Sequence, residues 1–410
     1  MPSPRSPLAP ERFPEMPEVA GVRLAAAAAG LRYRGRPDLL LVELAPGTTV
    51  AGVLTRSRVP GHPVAWCRAL LPRGRARALV VNAGNANVLV GAAGDAAVRA
   101  EAETTAALLD AGPEDVFIAS TGVIGEPLPV GKITAALPGL FEMLAPGAWR
   151  TAAEAICTTD TFAKGAWARA AIGDGEVTIA GIAKGSGMIQ PDMATMLAFL
   201  FTDAALPAAT LQPLLAAACD RSFHAITVDG DSSTSDTLLL FATGRARHPA
   251  PTGPDDPVLD GFRVALEQVA RDLAQQVVRD GEGAKKLIAI TVKGAIDDGS
   301  ARRIGLAIAN SPLVKTAIAG ADANWGRIVM AIGKAGEPVE LARLAISFGG
   351  HAVARDGARA PDLDEAPVAA HLKGHEIEIA VEVGSGAGAA TVWTCDLTHD
   401  YVTINASYRS

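Results

Sequence analysis

The sequence predicts a layered α/β fold. Short β-branched runs alternate with helix-period segments in the first half, where we expect strands at DLLLVEL, TTVAGVL, ALVVNAG and DVFIAST and helices near residues 94–111 and 131–145. The second half repeats this alternation. The chain has 410 residues, of which 49% are hydrophobic and 20% charged, which is ordinary for a globular protein and enough for two or more packed units.

The clearest helix of the second half is predicted near residues 257–279. There Phe262, Leu266, Val269, Leu273 and Val277 recur at steps of three and four residues, so they share one face. A further helix is expected near 206–222. Strands are predicted at TMLAFLFT, AITVDGD, TLLLFATG, LIAITVKGA, HEIEIAVEVG and the closing VWTCDLTHDYVTINASYRS.

Charge and hydropathy exclude several classes of protein. The net charge is −7, and the sequence has no basic stripe that could bind a phosphate backbone. We therefore expect no nucleic-acid partner. The longest apolar stretches are far shorter than the ~20 residues that cross a bilayer, so no membrane span is expected. The proline-rich start fits neither a secretory nor a transit peptide and is predicted to be a loose arm of a cytoplasmic protein.

The four cysteines give no metal or disulfide pattern. Cys67, Cys157, Cys219 and Cys395 are scattered, without CxxC or Cys/His spacing. We therefore expect four buried thiols in a reducing cytoplasm, and no metal site.

A glycine-rich segment, KGSGMIQPDMATML at residues 184–197, raises the question of a reactive threonine. A threonine hydroxyl is a weak nucleophile until a base takes its proton, and its own α-amine can be that base once the chain is cut before it. Such an amine titrates at roughly 7.7 to 8. Gly185, Gly187 and Pro191 suit a strained approach, and Ala194 offers an unhindered carbonyl to Thr195. The alternative is a glycine-rich turn that leads into a strand.

This segment resembles the self-cleavage segment of the ornithine acetyltransferase family, the bifunctional glutamate N-acetyltransferases of arginine biosynthesis. Further stretches that resemble the family run across the whole chain, among them VNAGNAN, STGVIGEPLP, TTDTFAK, TVDGDSSTSD, RDGEGAKKL and ANSPLVKTAIAGADANWGRI. The resemblance implies an N-terminal-nucleophile-like αββα core of the type of DmpA and ornithine acetyltransferase, with a second, smaller α/β domain. It also implies cleavage between Ala194 and Thr195, giving chains 1–194 and 195–410 that fold together.

STGVIG follows a predicted strand, where a Thr-Gly pair can turn one hydroxyl and one backbone N–H toward a common point. That is the geometry of an oxyanion hole, although an ordinary capped turn would have the same residues. The resemblance assigns the oxyanion-stabilising role to Thr121 and Gly122.

Two segments before the nucleophile are candidates for substrate binding. TTDTFAK suggests by itself only a capped turn, but the resemblance implies that one of its threonines binds substrate. Thr161 aligns best, with Thr158 and Thr159 left open. Lys184 lies eleven residues before Thr195; it would be a solvated lysine in the plain interpretation, and the resemblance marks it as a partner for a substrate carboxylate.

Two segments after Thr195 complete the predicted site. In RDGEGAKKL the glycines could simply end a helix, which would leave Glu282 exposed. The resemblance implies instead that Glu282 contacts substrate, and a carboxylate is what an ornithine ammonium needs. At Lys285 the sequence departs from the family pattern, and the effect of this departure on substrate binding is left open. The resemblance further implies that Asn405 and Ser410 bind substrate, which requires an ordered tail.

The resemblance implies a ping-pong acyl transfer. Thr195 takes the acetyl group from N2-acetylornithine and passes it to glutamate, with Thr121 and Gly122 holding the oxyanion. No resident cofactor is expected, acetyl-CoA is left open as a second acetyl donor, and two pairs of cleaved chains would form a heterotetramer. A self-processing amidohydrolase or aminopeptidase and an uncut small-molecule binding protein stay open as alternatives.

Overall fold

The computed structural model describes residues 4–190 and 196–406. The strands within these ranges are β1 (Val22–Ala27), β2 (Leu39–Leu44), β3 (Thr49–Leu54), β4 (Ala78–Asn85), β5 (Val116–Val123), β6 (Lys164–Ile172), β7 (Gly175–Lys184), β8 (Leu197–Thr202), β9 (Thr237–Ala242), β10 (Leu287–Ala295), β11 (Ala345–Phe348), β12 (His351–Arg355), β13 (Ala358–Arg359), β14 (Glu376–Glu382) and β15 (Gly388–Cys395). The α-helices are α1 (His62–Leu70), α2 (Ala92–Leu109), α3 (Val130–Glu142), α4 (Trp149–Ala155), α5 (Ala208–Asp220), α6 (Asp260–Arg279), α7 (Asp298–Ala309), α8 (Pro312–Ala319), α9 (Trp325–Lys334), α10 (Glu365–Leu372) and α11 (His399–Ala406).

Two sheets packed face to face form the centre of the molecule. The first has the strand order β1-β2-β4-β5, and the second has the order β3-β9-β8-β7-β6. Their facing sides share one core, in which Phe201 stacks on Phe241 with ring centroids 5.4 Å apart and Phe117 meets Phe241 edge-on. Helices α2 and α3 cover the outer face of the first sheet, and α5 and α6 cover that of the second. The predicted αββα core is confirmed.

The alternation of side chains along β8 explains why this short apolar run lies at the centre. Leu197, Phe199 and Phe201 point into the core between the sheets, whereas Ala198 and Leu200 point to the helix-covered side. Both faces are buried, so the strand is apolar throughout. The second sheet joins β6 and β7, which precede the predicted cut, to β8 and β9, which follow it.

Helix α6 forms as its periodicity predicts. The five apolar residues of its predicted face are all fully buried, against β6, β7 and α5. The helix ends at Arg279, and Asp280 to Gly283 then turn the chain toward the site described below, with Gly283 at a φ of +77°. The left-handed conformation suits glycine.

A third sheet forms the second α/β unit, which confirms that prediction. Its strand order is β13-β12-β11-β14-β10-β15, and α7 packs against β10 and β15. Along β10, the buried Ile288, Ile290 and Val292 share one face by period-two alternation. This unit shares a continuous hydrophobic core with α5 and α6.

Two of the strand predictions are wrong. AITVDGD forms a short 3-10 turn and a loop in which only Ile226 makes a β-bridge, to Trp393. In this loop the Asp229 carboxylate accepts from the backbone N–H groups of Met188 and Ile189. These hydrogen bonds replace those of a β-ladder. In the closing segment only the first residues extend a strand. Residues His399–Ala406 instead form helix α11, where the Thr398 hydroxyl accepts from the N–H of Asp400 at the start.

The described part of the N-terminal segment is anchored at several points rather than loose, so that prediction is also wrong. Leu8 is buried, and the Ser6 hydroxyl donates to the carbonyl of Arg279 at 2.6 Å. Phe13 and Met16 lie where a side chain on Gly165 would be, and these contacts hold the segment against β6. A proline-rich composition therefore marks an extended, anchored conformation here.

The prediction of four buried thiols is confirmed, since all four cysteines are free and buried. Within the described ranges, no helix combines the length and the apolar character needed to cross a membrane.

Candidate active site

The ends of β4 and β5 approach each other closely at the predicted oxyanion residues. The two strands are parallel, and Gly84 pairs with Gly122. A Cβ on Gly122 would lie 2.2 Å from the carbonyl carbon of Gly84, and Gly122 has a φ of +136°. Only glycine permits this contact. The preceding Thr121 is buried at the same place, with its hydroxyl 3.4 Å from the Lys184 ammonium nitrogen.

A cavity of about 240 Å³ opens at this point. Its walls include five of the predicted site residues, namely Thr121, Gly122, Lys184, Glu282 and Asn405. The remaining lining residues are Ala86, Val123, Ile124, Thr158, Thr159, Gly187, Met188, Ser233, Thr234 and Ser235. The structure thus brings together predicted site residues that are up to 284 positions apart in the chain (Thr121 to Asn405).

Lys184 supplies a buried positive charge to the cavity. It is the last residue of β7, and its side chain is only 2% exposed. Its ammonium donates to the Thr158 hydroxyl at 2.8 Å and lies 3.8 Å from a carboxylate oxygen of Asp160. A buried ammonium that does not use all of its N–H donors within the protein is suited to bind a substrate carboxylate.

Behind Lys184 lies a buried ion network. Lys164 donates to Asp160 and to Asp280, both at 2.6 Å. The N–H of Gly185 also donates to Asp160, at 2.7 Å. Burial tends to raise the pKa of Asp160, but the charges of Lys164 and Lys184 outweigh it and lower that pKa well below its usual value. For Asp280 the balance is reversed, because burial raises its pKa against the opposing charge of Lys164.

Sequence reasoning missed this network. The only local signal was the i, i+4 spacing of Asp160 and Lys164 in TTDTFAK, which is the spacing of a helical ion pair in a segment that is not a helix. Asp280 is distant in sequence and gave no signal.

Thr161, the predicted substrate-binding threonine, does not line the cavity. Its hydroxyl donates to Asp280 at 2.5 Å and accepts from the N–H of Ser6 at 2.9 Å. Thr158 and Thr159, which the sequence left open, do line it. A role for Thr161 in binding substrate stays a prediction, whereas its contacts are those of a residue that anchors the network.

Glu282 provides the negative charge of the cavity. It is 9% exposed rather than solvated, and its carboxylate accepts from the amide of Asn405 at 2.8 Å. Burial raises the pKa of Glu282, while hydrogen bonds from Asn405 and Thr159 oppose that effect. A Cβ on Gly187 would lie 2.5 Å from this carboxylate, so the glycine lets the loop pass close to it.

Helix α11 brings Asn405 to the site. Besides the Asn405 contact, Tyr401 donates to Asp229 at 3.3 Å, and Lys285 pairs with Asp400 at 3.1 Å. The departure from the family pattern at Lys285 therefore falls on a residue that holds this helix. Ser410 lies outside the described residues.

Ala194 and Thr195 also lie outside the described residues, but the chain on either side is anchored by two aspartates. Before the gap, Met188 and Ile189 donate their N–H groups to Asp229 at 2.6 and 2.8 Å. After it, Met196 donates its N–H to Asp236 at 2.7 Å. The TVDGDSSTSD segment therefore holds both sides of the predicted cleavage segment, a role that its sequence did not suggest.

The cavity combines features that suit an amino-acid substrate. An ammonium at Lys184 and a carboxylate at Glu282 complement the two charges of an amino acid. The Thr121–Gly122 pair adds a hydroxyl and a backbone N–H at the closest approach of β4 and β5. Such an arrangement can bind an acylated amino acid and stabilise negative charge on its acyl oxygen.

Comparisons with known proteins identify the family. The model of the ArgJ family matches residues 23–410. The arginine biosynthesis bifunctional protein ArgJ of Gluconobacter oxydans is 58% identical over 409 residues, which are all of this chain and 96% of that protein. The protein of the same name from Bradyrhizobium diazoefficiens is 56% identical over 408 residues, 99% of each chain. The chain belongs to the ArgJ family.

Proposed function

We propose that the protein transfers the acetyl group of N2-acetylornithine to glutamate. The observation that carries this proposal is the single cavity in which Lys184, Glu282 and the Thr121–Gly122 pair meet. The family supports it, because the relatives are named as bifunctional proteins of arginine biosynthesis.

The reaction begins with maturation of the chain. The Thr195 hydroxyl attacks the carbonyl of Ala194, the amide becomes an ester, and water releases chains of 194 and 216 residues. Thr195 is then an N-terminal residue with an α-amine that can act as its base. The mature hydroxyl attacks the acetyl carbonyl of N2-acetylornithine, and ornithine leaves. The α-amine of glutamate then takes the acetyl group from the threonine.

The two charged groups of the cavity orient both substrates. Lys184 pairs with the α-carboxylate, and Glu282 pairs with the side-chain ammonium of ornithine. Glu282 would repel the second carboxylate of glutamate, and Lys184 offsets that repulsion in the acceptor half-reaction. Oxyanion stabilisation by Thr121 and Gly122 contributes about 2.7 to 4 kcal/mol for each donor.

Four further features belong to this proposal. Acetyl-CoA serves as a second acetyl donor, in keeping with the word bifunctional in the names of the relatives. Two cleaved pairs form a heterotetramer, and the protein works in the cytoplasm. No resident cofactor takes part.

A mass measurement and a partition assay test the proposal together. Mass spectrometry of active protein should recover two chains that divide at Ala194–Thr195, and N2-acetylornithine with glutamate should yield acetylglutamate. Acetate in place of acetylglutamate would indicate an amidohydrolase. An intact 41.9 kDa chain that binds ligand without turnover would indicate a binding protein.

A further inference from the structure

The loop between β1 and β2, residues 28–37, is held in a defined conformation. The Asp38 carboxylate has no exposed surface and accepts from the N–H groups of Ala29 at 2.6 Å and Leu31 at 2.7 Å. The backbone continues this anchor, since the Asp38 carbonyl accepts from the N–H of Ala83 on β4 at 2.9 Å. The loop is therefore fixed at the edge of the first sheet where β4 ends.

The same loop packs beside the predicted oxyanion residues. A Cβ on Gly84 would lie 2.7 Å from the Cβ of Arg32. Gly84 pairs with Gly122, which lines the cavity. A guanidinium nitrogen of Arg32 lies 3.6 Å from a carboxylate oxygen of Glu126, four residues after Gly122. Arg32 thus lies next to the cavity wall without lining the cavity itself.

Positive charge is concentrated at this loop, although the chain as a whole is acidic. Arg32 and Arg34 are exposed, and so is Lys132 of α3, whose ammonium donates to the Gly30 carbonyl at 2.6 Å. These three residues form a basic patch, which has Glu126 as an acidic neighbour in a chain with a net charge of −7. Such a local excess of positive charge suits a ligand that carries phosphate groups.

Exposed apolar side chains border the cavity. Ile124 and Met188 line it and are partly exposed, and Leu89 is 74% exposed. Leu89 follows Val88, whose carbonyl accepts from the N–H of Gly125 at 3.0 Å, so it lies beside the segment of Ile124. Leu89 and Met188 have φ values of +57° and +56°, a conformation that costs free energy in these residues. The three residues form an apolar mouth that suits an apolar part of a ligand.

We propose that the apolar mouth and the basic patch bind the carrier portion of a coenzyme A thioester, an inference that rests on the proposed function and its second acetyl donor. The cavity of about 240 Å³ holds the acetyl end beside Thr121 and Gly122, but the rest of this large donor has to leave through the mouth. The methyl and methylene groups of the pantetheine arm contact the apolar mouth. The phosphates, which are anionic, bind the basic patch.

The order of the two surfaces matches the order of the groups in the ligand. Ile124 lies two residues after Gly122 and two residues before Glu126, and Glu126 pairs with Arg32. A path from the oxyanion pair to the basic patch therefore crosses the apolar mouth first. N2-acetylornithine has neither the long arm nor the phosphates, so it does not need the basic patch. The surface outside the cavity therefore distinguishes the two acetyl donors.

Replacing Arg32 and Arg34 together by glutamine tests the basic patch. In Arg32→Gln with Arg34→Gln, we expect the KM for acetyl-CoA to rise about 10-fold or more, because two charge-assisted contacts to phosphate are lost. The KM for S-acetylpantetheine, which has the same thioester and arm but no phosphate, should stay within about 2-fold of the wild type, as should the KM for N2-acetylornithine. Added salt should raise the KM of the wild type for acetyl-CoA, and should affect the double variant much less.

Arg169→Gln is the matched control. Arg169 is exposed on β6, the edge strand of the second sheet, and pairs with Glu176 at 3.2 Å. Its constants for both acetyl donors should equal those of the wild type. Equal KM values for acetyl-CoA in the wild type and the double variant would overturn the proposal and leave the proposed function standing. A parallel rise for acetyl-CoA and S-acetylpantetheine would also overturn it, since the loss would then not involve phosphate.

Leu89→Asn tests the apolar mouth. Asparagine adopts the left-handed conformation more readily than leucine, so the loop should keep its structure. We expect the KM values for acetyl-CoA and S-acetylpantetheine both to rise about 3-fold or more, because an apolar contact is lost. The KM for N2-acetylornithine should not change. Leu341→Asn, at a similarly exposed position of the second α/β unit, is the control and should behave like the wild type. Unchanged KM values for both thioesters in Leu89→Asn would overturn the proposal.

The wild type in the same assays reports on the proposed function. If neither N2-acetylornithine nor acetyl-CoA acetylates glutamate, the proposed function fails. If N2-acetylornithine acetylates glutamate and acetyl-CoA does not, the transfer reaction stands and the coenzyme A surface is overturned.

Discussion

Replacing Glu101 by glutamine should make the stability of the protein less dependent on pH. Glu101 lies on α2 with no exposed surface, and neither of its carboxyl oxygens has a hydrogen-bond partner among the residues that the structure describes. The hydroxyl of Thr105, one turn further along the helix, is also buried and has no hydrogen-bond partner among those residues. Burial raises the pKa of Glu101 from 4.5 to about 8.

The sign and size of the effect follow from that pKa. Between pH 4.5 and about 8, the carboxyl group is mostly protonated in the folded protein and mostly ionised in the unfolded chain. The folded state therefore binds more protons, and the free energy of unfolding falls as the pH rises through this window. The pKa difference of about 3.5 corresponds to about 5 kcal/mol, at about 1.4 kcal/mol for each pKa unit.

Urea unfolding at several pH values from 5 to 8.5 measures this loss. The wild type should lose much more stability across the series than Glu101→Gln, whose amide does not titrate. Glu103→Gln, at an exposed position of the same helix, should behave like the wild type. Parallel curves for the wild type and Glu101→Gln would refute the reasoning, since they would mean that the carboxyl group ionises without cost.

Three further changes test the site. Gly122→Ala should reduce acetyl transfer about 100-fold or more and lower the melting temperature, because its Cβ would overlap the backbone of β4; Gly125→Ala, also at positive φ but with open space around it, should keep its activity. Glu282→Gln should slow acetylation of the enzyme by N2-acetylornithine more than its deacetylation by glutamate in single-turnover assays, and equal losses would count against the assignment. Asp280→Asn should destabilise the protein by about 3 to 5 kcal/mol in urea unfolding, because Lys164 loses one of its two buried counter-charges. A loss below about 1 kcal/mol would mean that Lys164 is solvated.

Sequence patterns predicted the elements whose side chains repeat regularly. Helix α6 and strand β14 form where their periodicity places them, because each buries one regular set of apolar residues. The segment at 225–231 misled because it is apolar at its start, while the carboxylate of Asp229 accepts from the backbone N–H groups of Met188 and Ile189. Its side chains compete with a ladder, which no local period reveals.

The site was predictable only in part for a related reason. Lys184 and Glu282 could be picked out because resemblance marked them, and both line the cavity. Asp280 and Asp236 could not, because what gives each its importance is a contact across the fold, to Lys164 in one case and to Met196 in the other. Burial turns an ordinary aspartate into a constrained one, and burial of a single polar residue leaves no signature in composition or spacing.

The mixed origin of the second sheet has a consequence for how the protein can be made. β7 and β8 are neighbours that lie on opposite sides of the predicted cut, bonded from Ile179–Thr202 to Lys184–Leu197. If the two parts were synthesised separately, each would expose a largely apolar edge strand without its neighbour. Such an edge is a template for aggregation. When the protein is made as one polypeptide, β7 and β8 can pair before the predicted cleavage. Pairing before cleavage protects the solubility of both parts.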